Sequence, residues 1–116
     1  MSVLFLPEVR AYFNELTDIL FEKEYFSFPD SAEKYVEELF LDIKNTLPIS
    51  PKRRAPEYFS RYGRNMYYSV FKKNNHTQWY VFFNIYEKNG IRIYLVRYIS
   101  NNHVSAHLIE QESLNW

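Results

Sequence analysis

The sequence predicts one α+β domain in which a helical hairpin packs on a small antiparallel sheet, in the order β-α-α-β-β-β. Apolar residues recur at helical spacing through the first half of the chain, and the second half holds three runs rich in β-branched and aromatic residues. A chain of 116 residues that is 47% hydrophobic has the size and composition of one domain with its own core. We therefore assign residues 1–116 to a single domain.

Two helices are predicted in the first half. The first begins at Pro7, after a short apolar strand, and ends near Tyr25. The second follows a cap at Asp30 and stops before Pro48. Each has an apolar stripe: Val9, Tyr12, Phe13, Leu16, Ile19 and Leu20 in the first helix, and Ala32, Tyr35, Val36, Leu39, Phe40, Ile43 and Leu47 in the second.

Three strands are predicted in the second half, over residues 66–73, 78–86 and 91–99. Asn89 and Gly90 between the last two predict a tight hairpin turn, in which both residues take positive φ. Residues 48–58 hold three of the five prolines and are predicted to form an irregular connection.

Alternation along the strands predicts which side chains face the helices. The helix-facing set is predicted to be Trp79, Val81, Phe83 and Ile85 on one strand and Ile91, Ile93, Leu95 and Ile99 on the next. Arg97 is the one charged residue on that side. The opposite face is predicted to be open and to present Tyr80, Phe82, Asn84, Tyr86, Arg92, Tyr94, Val96, Tyr98 and Ser100.

Composition excludes several classes of chemistry. The absence of Cys rules out disulfides, thiolate zinc sites and cysteine nucleophiles. The two glycines stand alone, so the chain has no glycine-rich phosphate loop, and we predict neither a cofactor nor a metal site. No stretch approaches about 18 consecutive apolar residues and no secretory signal is evident, so we expect a cytoplasmic protein that does not enter a membrane.

Charge is segregated along the chain although the net charge is zero. Residues 1–44 hold ten acids against four bases, residues 45–97 hold ten bases against two acids, and the last 19 residues hold two acids. Such asymmetry indicates a polyanionic partner, although two solvated faces of opposite charge would produce the same pattern.

The order of these elements resembles the RelE/ParE superfamily of bacterial type II toxins. The resemblance rests on residues 3–9, where an apolar run leads into Pro7 and Glu8, and on residues 37–48 at the close of the second helix. It continues through residues 79–83, the turn at Asn89 and Gly90, and residues 93–99.

The resemblance implies the toxin component of a toxin-antitoxin pair, acting as a metal-independent endoribonuclease that cleaves mRNA on the ribosome. The alternative is a non-catalytic binder of the same fold, such as a gyrase-directed ParE-like toxin or an inactive relative. A cognate antitoxin is the implied protein partner, with a homodimer or a heterotetramer with the antitoxin as candidate assemblies.

RNA cleavage without a metal uses the ribose 2′-hydroxyl as nucleophile, and it needs groups that accept and donate protons and a cation near the phosphate. The resemblance places such groups at Lys72 or Lys73 and at His103, His107 and Tyr98. The two lysines point to opposite faces of a strand, and apolarity does not decide between them. The histidines have the alternative of lying on the surface, and Tyr98 of being an ordinary sheet aromatic.

Five further cations are candidates for binding RNA phosphates: Arg61, Arg64, Lys52, Arg53 and Arg54. The resemblance also implies an arginine soon after a tyrosine on the following strand. This chain has Tyr80 and Val81 there, so that cation is missing.

Overall fold

Two helices and five strands make up the fold in the computed structural model, which describes residues 2–22, 29–73 and 77–101. The elements are β1 (Ser2–Phe5), α1 (Pro7–Glu22), α2 (Pro29–Thr46), β2 (Arg53–Arg54), β3 (Tyr67–Lys72), β4 (Gln78–Lys88) and β5 (Ile91–Asn101). Short 3₁₀ helices at Leu47–Ile49 and Glu57–Arg61 flank β2. The predicted α+β class and the two helices packed on a sheet are confirmed.

The strands form one mixed sheet in the order β1-β5-β4-β3-β2. β1 runs parallel to β5, and every other neighbouring pair is antiparallel. The predicted antiparallel meander is present as β3, β4 and β5, and the parallel strand β1 makes the whole sheet mixed rather than antiparallel. β1 pairs with the last strand across a long connection that contains both helices, and such a connection permits parallel pairing. The sequence analysis also missed β2, which is only two residues long and interrupts the irregular connection.

Both helices bury the predicted stripes. In α2, Ala32, Leu39 and Ile43 are completely buried, and the stripe continues to Leu47. The helix begins at Pro29, two residues before the start that a cap at Asp30 predicts. Proline suits a first helical position because its φ is fixed near the helical value and its missing N–H has no helical partner to lose.

One face of the sheet, which we call the helix face, packs on α1 and α2. The predicted residues Trp79, Val81 and Phe83 of β4 are buried there, and Phe71 of β3 joins them. The indole Nε1 of Trp79 donates a hydrogen bond to the Tyr35 hydroxyl at 2.8 Å, which ties β4 to α2. Buried N–H groups need such partners, because an unsatisfied donor in a core costs about 1–3 kcal/mol.

The predicted face of β5 is wrong over most of its length. Tyr94 and Val96 pack in the helix-face core, whereas Ile91 is exposed. The reason is a β-bulge: Phe82 pairs with Tyr98 but Phe83 pairs with Val96, so Arg97 is an extra residue in β5. The bulge reverses the alternation, and only beyond it does Ile99 return to the predicted helix face.

The opposite side of the sheet, which we call the far face, is not open as predicted. Residues 55–66, which we call the covering loop, lie across it and bury Phe59 and Met66 against Tyr68 and Phe82. The sheet therefore has a core on each face. The cause is the high aromatic content, 20% of the chain, which supplies more large apolar side chains than the helices can cover.

We expect Leu39→Ala to lower the free energy of unfolding by about 2–5 kcal/mol, because it leaves a cavity at a completely buried site. The matched control is Leu41→Ala on the same helix, where the side chain is 43% exposed and the loss should be below about 1 kcal/mol. Urea denaturation followed by circular dichroism measures both values. Equal losses in the two variants would contradict the burial of the stripe.

Candidate nucleic-acid interface

The two lysines at the end of β3 lie on opposite sides of the sheet. Lys72 is exposed and lies on the same far face as Tyr68, because side chains an even number of residues apart in a strand point to the same side. Lys73 follows β3 on the helix side, where its Nζ lies 5.6 Å from the ring centroid of Tyr35. The structure thus decides a question that alternation left open. Of the two, Lys72 is the lysine that faces the covering-loop side.

The neighbouring arginines of β2 divide in the same way. Arg53 pairs with Tyr68 and Arg54 pairs with Tyr67, and directly opposed residues in an antiparallel ladder share a face. Arg53 therefore projects on the far face. Arg54 projects on the helix side, with its guanidinium carbon 5.4 Å from the ring centroid of Tyr67. Both arginines are exposed.

Lys52 is held by the backbone at the end of α2. Its Nζ donates to the carbonyl oxygens of Pro48 at 2.9 Å and Ser50 at 2.7 Å. It also lies 5.6 Å from the ring centroid of Tyr94, a helix-face residue. These contacts give Lys52 a structural role in closing the turn after α2, on the side away from Arg53 and Lys72.

Arg61 and Arg64 lie together on the covering loop. They line one shallow depression with Glu57, Tyr58 and Ser60. The Arg61 guanidinium lies 4.0 Å from the ring centroid of Tyr58, and its Nε donates to the Tyr58 carbonyl at 3.1 Å. Stacking on an aromatic ring fixes the plane of a guanidinium while leaving its outer N–H groups available to an anion.

Aromatic stacking anchors the covering loop to the far face. The Phe59 ring stacks on Phe82 with centroids 4.3 Å apart. The Tyr62 ring lies almost parallel to Tyr98, with centroids 3.9 Å apart and an interplanar angle of 5°. Tyr98, predicted as a catalytic candidate, thus lies within a stack of rings. The position of Arg61 and Arg64 depends on this packing, because the same loop carries all four residues 59, 61, 62 and 64.

Two phenols that interact electrostatically with Tyr98 have a raised pKa. Burial raises the pKa of Tyr62, with a hydrogen bond to Tyr98 adding to the effect and the charge of Arg61 opposing it. Burial raises the pKa of Tyr12 to about 12, with a smaller contribution from Tyr98. A phenol with a raised pKa is neutral near pH 7, so Tyr62 and Tyr12 can donate a hydrogen bond but are poor proton acceptors.

The sequence-predicted site residues fall into three groups. Lys72, Arg53, Arg61, Arg64 and Tyr98 are on the far face or its covering loop, and Lys73, Lys52 and Arg54 are on the helix side. His103 and His107 lie outside the described residues. Sequence reasoning missed Tyr58 and Ser60, because nothing in the pattern of residues 48–58 showed that the chain would turn back across the sheet.

The helices supply the opposite charge on the other side of the sheet. The segments of α1 and α2 contain nine acids against three bases. The acidic helix segments repel a polyanion, and the exposed cations of the far face and the covering loop attract one. The helix side of the sheet also carries Lys52, Arg54 and Lys73. We call the exposed cations of the far face and the covering loop, Arg53, Arg61, Arg64 and Lys72, the basic surface. They are spread along the sheet, because Lys72 pairs with Gln78 whereas the Arg64 carbonyl accepts a hydrogen bond from Asn84, about 20 Å further along β4.

No family model, curated protein or solved structure matches this chain. Among residues 2–22, 29–73 and 77–101, no helix is long and apolar enough to cross a membrane. Within the same ranges, no three side chains of the types that bind metals are grouped as a metal site.

Raising the pH from about 9 to 11 should lower the stability of the fold through Tyr12. The pKa of this phenol is about 12 in the folded chain and 10.0 ordinarily, so the unfolded chain loses the proton first. The contribution of Tyr12 to the free energy of unfolding is fully present below about pH 10 and is lost as the pH rises toward 12. Urea midpoints at several pH values measure the fall, and Tyr12→Phe should make it smaller. An identical fall in the variant would contradict the burial of this hydroxyl.

Proposed function

We propose that this chain is the toxin component of a type II toxin-antitoxin system, of the RelE/ParE type, and that it cleaves mRNA bound to the ribosome without a metal. The observation that carries the proposal is the basic surface. Arg53, Arg61, Arg64 and Lys72 are exposed on the side of the sheet opposite the acidic helices. RNA backbones are recognised by exposed arginine and lysine side chains arranged along one face of a protein.

The element order supports the proposal. An initial strand, a helical hairpin and a three-stranded meander are the features on which the resemblance rests, and β1, α1, α2 and β3–β5 follow that order. Fold alone does not determine function, since one fold supports unrelated activities. The weight of the proposal therefore lies on the charge of the basic surface.

The chemistry we propose is an attack by the ribose 2′-oxygen on the adjacent phosphorus, with departure of the 5′-oxygen. A base takes the 2′-hydroxyl proton, an acid protonates the leaving oxygen, and a cation stabilises the charge that develops on the phosphoryl oxygens. Lys72 is the candidate for the cation, because it is exposed on the far face. His103 and His107 remain the predicted proton carriers, since imidazole titrates near neutral pH.

A non-catalytic binder of the same fold is the second candidate. It is favoured by the stack of Tyr98 on Tyr62, which occupies a ring that the resemblance would offer to the reaction. Such a binder, directed at gyrase or inactive, would use the basic surface without cutting RNA. In either case the antitoxin is the proposed protein partner.

RNA affinity should depend on Lys72 and not on Lys73. We expect Lys72→Gln to weaken binding of a fluorescein-labelled RNA decamer and to reduce the slope of log affinity against log salt by about 0.7, the value for one phosphate contact on a single strand. Lys73→Gln is the matched control, because the neighbouring residue carries the same charge on the helix side. Fluorescence anisotropy over a range of salt concentrations measures both. Equal losses would contradict the assignment of the surface.

Activity tests decide between cleavage and binding alone. Induced expression of the wild-type chain should arrest growth, and reactions with purified ribosomes should yield shortened mRNA. Lys72→Ala and His103→Ala should relieve the arrest and stop the cleavage if the chain is an endoribonuclease. Full toxicity of both variants, with intact transcripts, would support the non-catalytic binder instead.

A further inference from the structure

A buried amide lies in the middle of β4 at the edge of the far-face core. Asn84 is 9% exposed, and both ends of its side chain are hydrogen-bonded. Its Nδ2 donates to the carbonyl oxygen of Arg64 at 2.7 Å, and its Oδ1 accepts from the Nε of Arg97. Asparagine can do both because its amide has a donor and an acceptor, whereas a carboxylate can only accept.

Arg97 reaches this amide because of the bulge in β5. Arg97 is the extra residue of β5 between the partners of Phe82 and Phe83. It therefore precedes Tyr98 directly, and its side chain does not join the helix face. Besides its bond to Asn84, its Nη2 donates to the Tyr86 hydroxyl at 2.9 Å. The guanidinium thus holds the Asn84 amide in one orientation, with the Nδ2 directed at the covering loop.

The covering loop makes room for this arginine at Gly63. A Cβ on Gly63 would lie 2.5 Å from the Arg97 Cδ and 3.0 Å from the Met66 sulfur. Only glycine allows so close an approach of the loop backbone to the arginine stem. Two consecutive residues of the loop therefore meet the sheet: Gly63 contacts the Arg97 side chain, and the Arg64 carbonyl accepts the hydrogen bond from Asn84.

We infer that Asn84 and Arg97 are positioning residues that fasten the covering loop to the sheet and so set where Arg61 and Arg64 meet an RNA phosphate. The inference rests on the proposed function, because it takes the RNA backbone as the anion. The bond to the Arg64 carbonyl fixes the backbone at the residue that carries one of the two cations. Without it, the stacked rings of Phe59 and Tyr62 still hold the start of the loop and the buried Met66 holds its end, but residues 63–65 lose their hydrogen bond to the sheet.

The sharpest test is Asn84→Asp. The carboxylate keeps an acceptor for Arg97 but cannot donate to the Arg64 carbonyl, which it repels. We expect amides of residues 61–66 to exchange hydrogen faster, amides of α2 to exchange at the wild-type rate, and affinity for the RNA decamer to fall about three- to tenfold. The salt slope should also fall, because a displaced Arg64 no longer contacts its phosphate.

Tyr86→Phe is the matched control. It removes the other hydrogen bond of Arg97 and leaves the Arg64 carbonyl bond in place, so loop exchange and RNA affinity should stay within about twofold of wild type. Gly63→Ala disturbs the same contact from the loop side, because the added Cβ would displace the Arg97 side chain. It should therefore also speed loop exchange and lower RNA affinity. This second variant keeps the test decisive if Asn84→Asp does not fold.

The outcomes separate the inference from the proposed function. Partial unfolding lowers the bound fraction but leaves the salt slope unchanged, so reduced affinity with a wild-type slope would overturn the positioning role. Wild-type loop exchange in both Asn84→Asp and Gly63→Ala would overturn the fastening of the loop. A wild-type chain that binds no RNA would overturn the proposed function. The hydrogen-exchange rates alone would then test whether Asn84 and Arg97 hold the covering loop on the sheet.

Discussion

The bulge at Arg97 determines how the two faces of this sheet are filled. A regular β5 that placed Tyr94 and Val96 on the helix face would leave Tyr98 there and turn Ile99 away. The extra residue lets Ile99 join the helix-face core while Tyr98 joins Phe59 and Tyr62 on the other side. The covering loop has an aromatic surface to stack on because the strand changes phase at this point.

The second core gives the loop a rigid support that an exposed loop would lack. Loops carry many binding residues, but their precision depends on a rigid support. Here the support is ring stacking at Phe59 and Tyr62 together with the hydrogen bond from Asn84 to the Arg64 carbonyl. Cations on such a loop keep their spacing when an anion arrives, so less ordering entropy opposes binding.

Periodicity predicted most of the fold and little of the candidate site. Helical spacing found both buried stripes, and the turn at Asn89 and Gly90 has positive φ at both residues as predicted. The faces of β5 could not be predicted, because the extra residue Arg97 moves every side chain from residue 91 to residue 96 to the face opposite the predicted one. The sequence did contain one sign of the bulge. Arg97 is a charged residue within the set predicted to face the helices, which indicated that the alternation changes there. The path of residues 55–66 depends on contacts with distant strands, which local pattern does not encode.

Acidic helices on one side of the sheet and the exposed cations of the basic surface on the other give this chain of zero net charge an uneven charge distribution. A net charge of zero provides no long-range attraction to a polyanion, and screening limits any field to about 8–10 Å at physiological ionic strength. Within that range the electric field of a nucleic acid would exert a torque on the separated charges and turn the molecule before contact. Under the proposed function, capture of RNA would be governed by orientation at short range rather than by the sum of the charges of the protein.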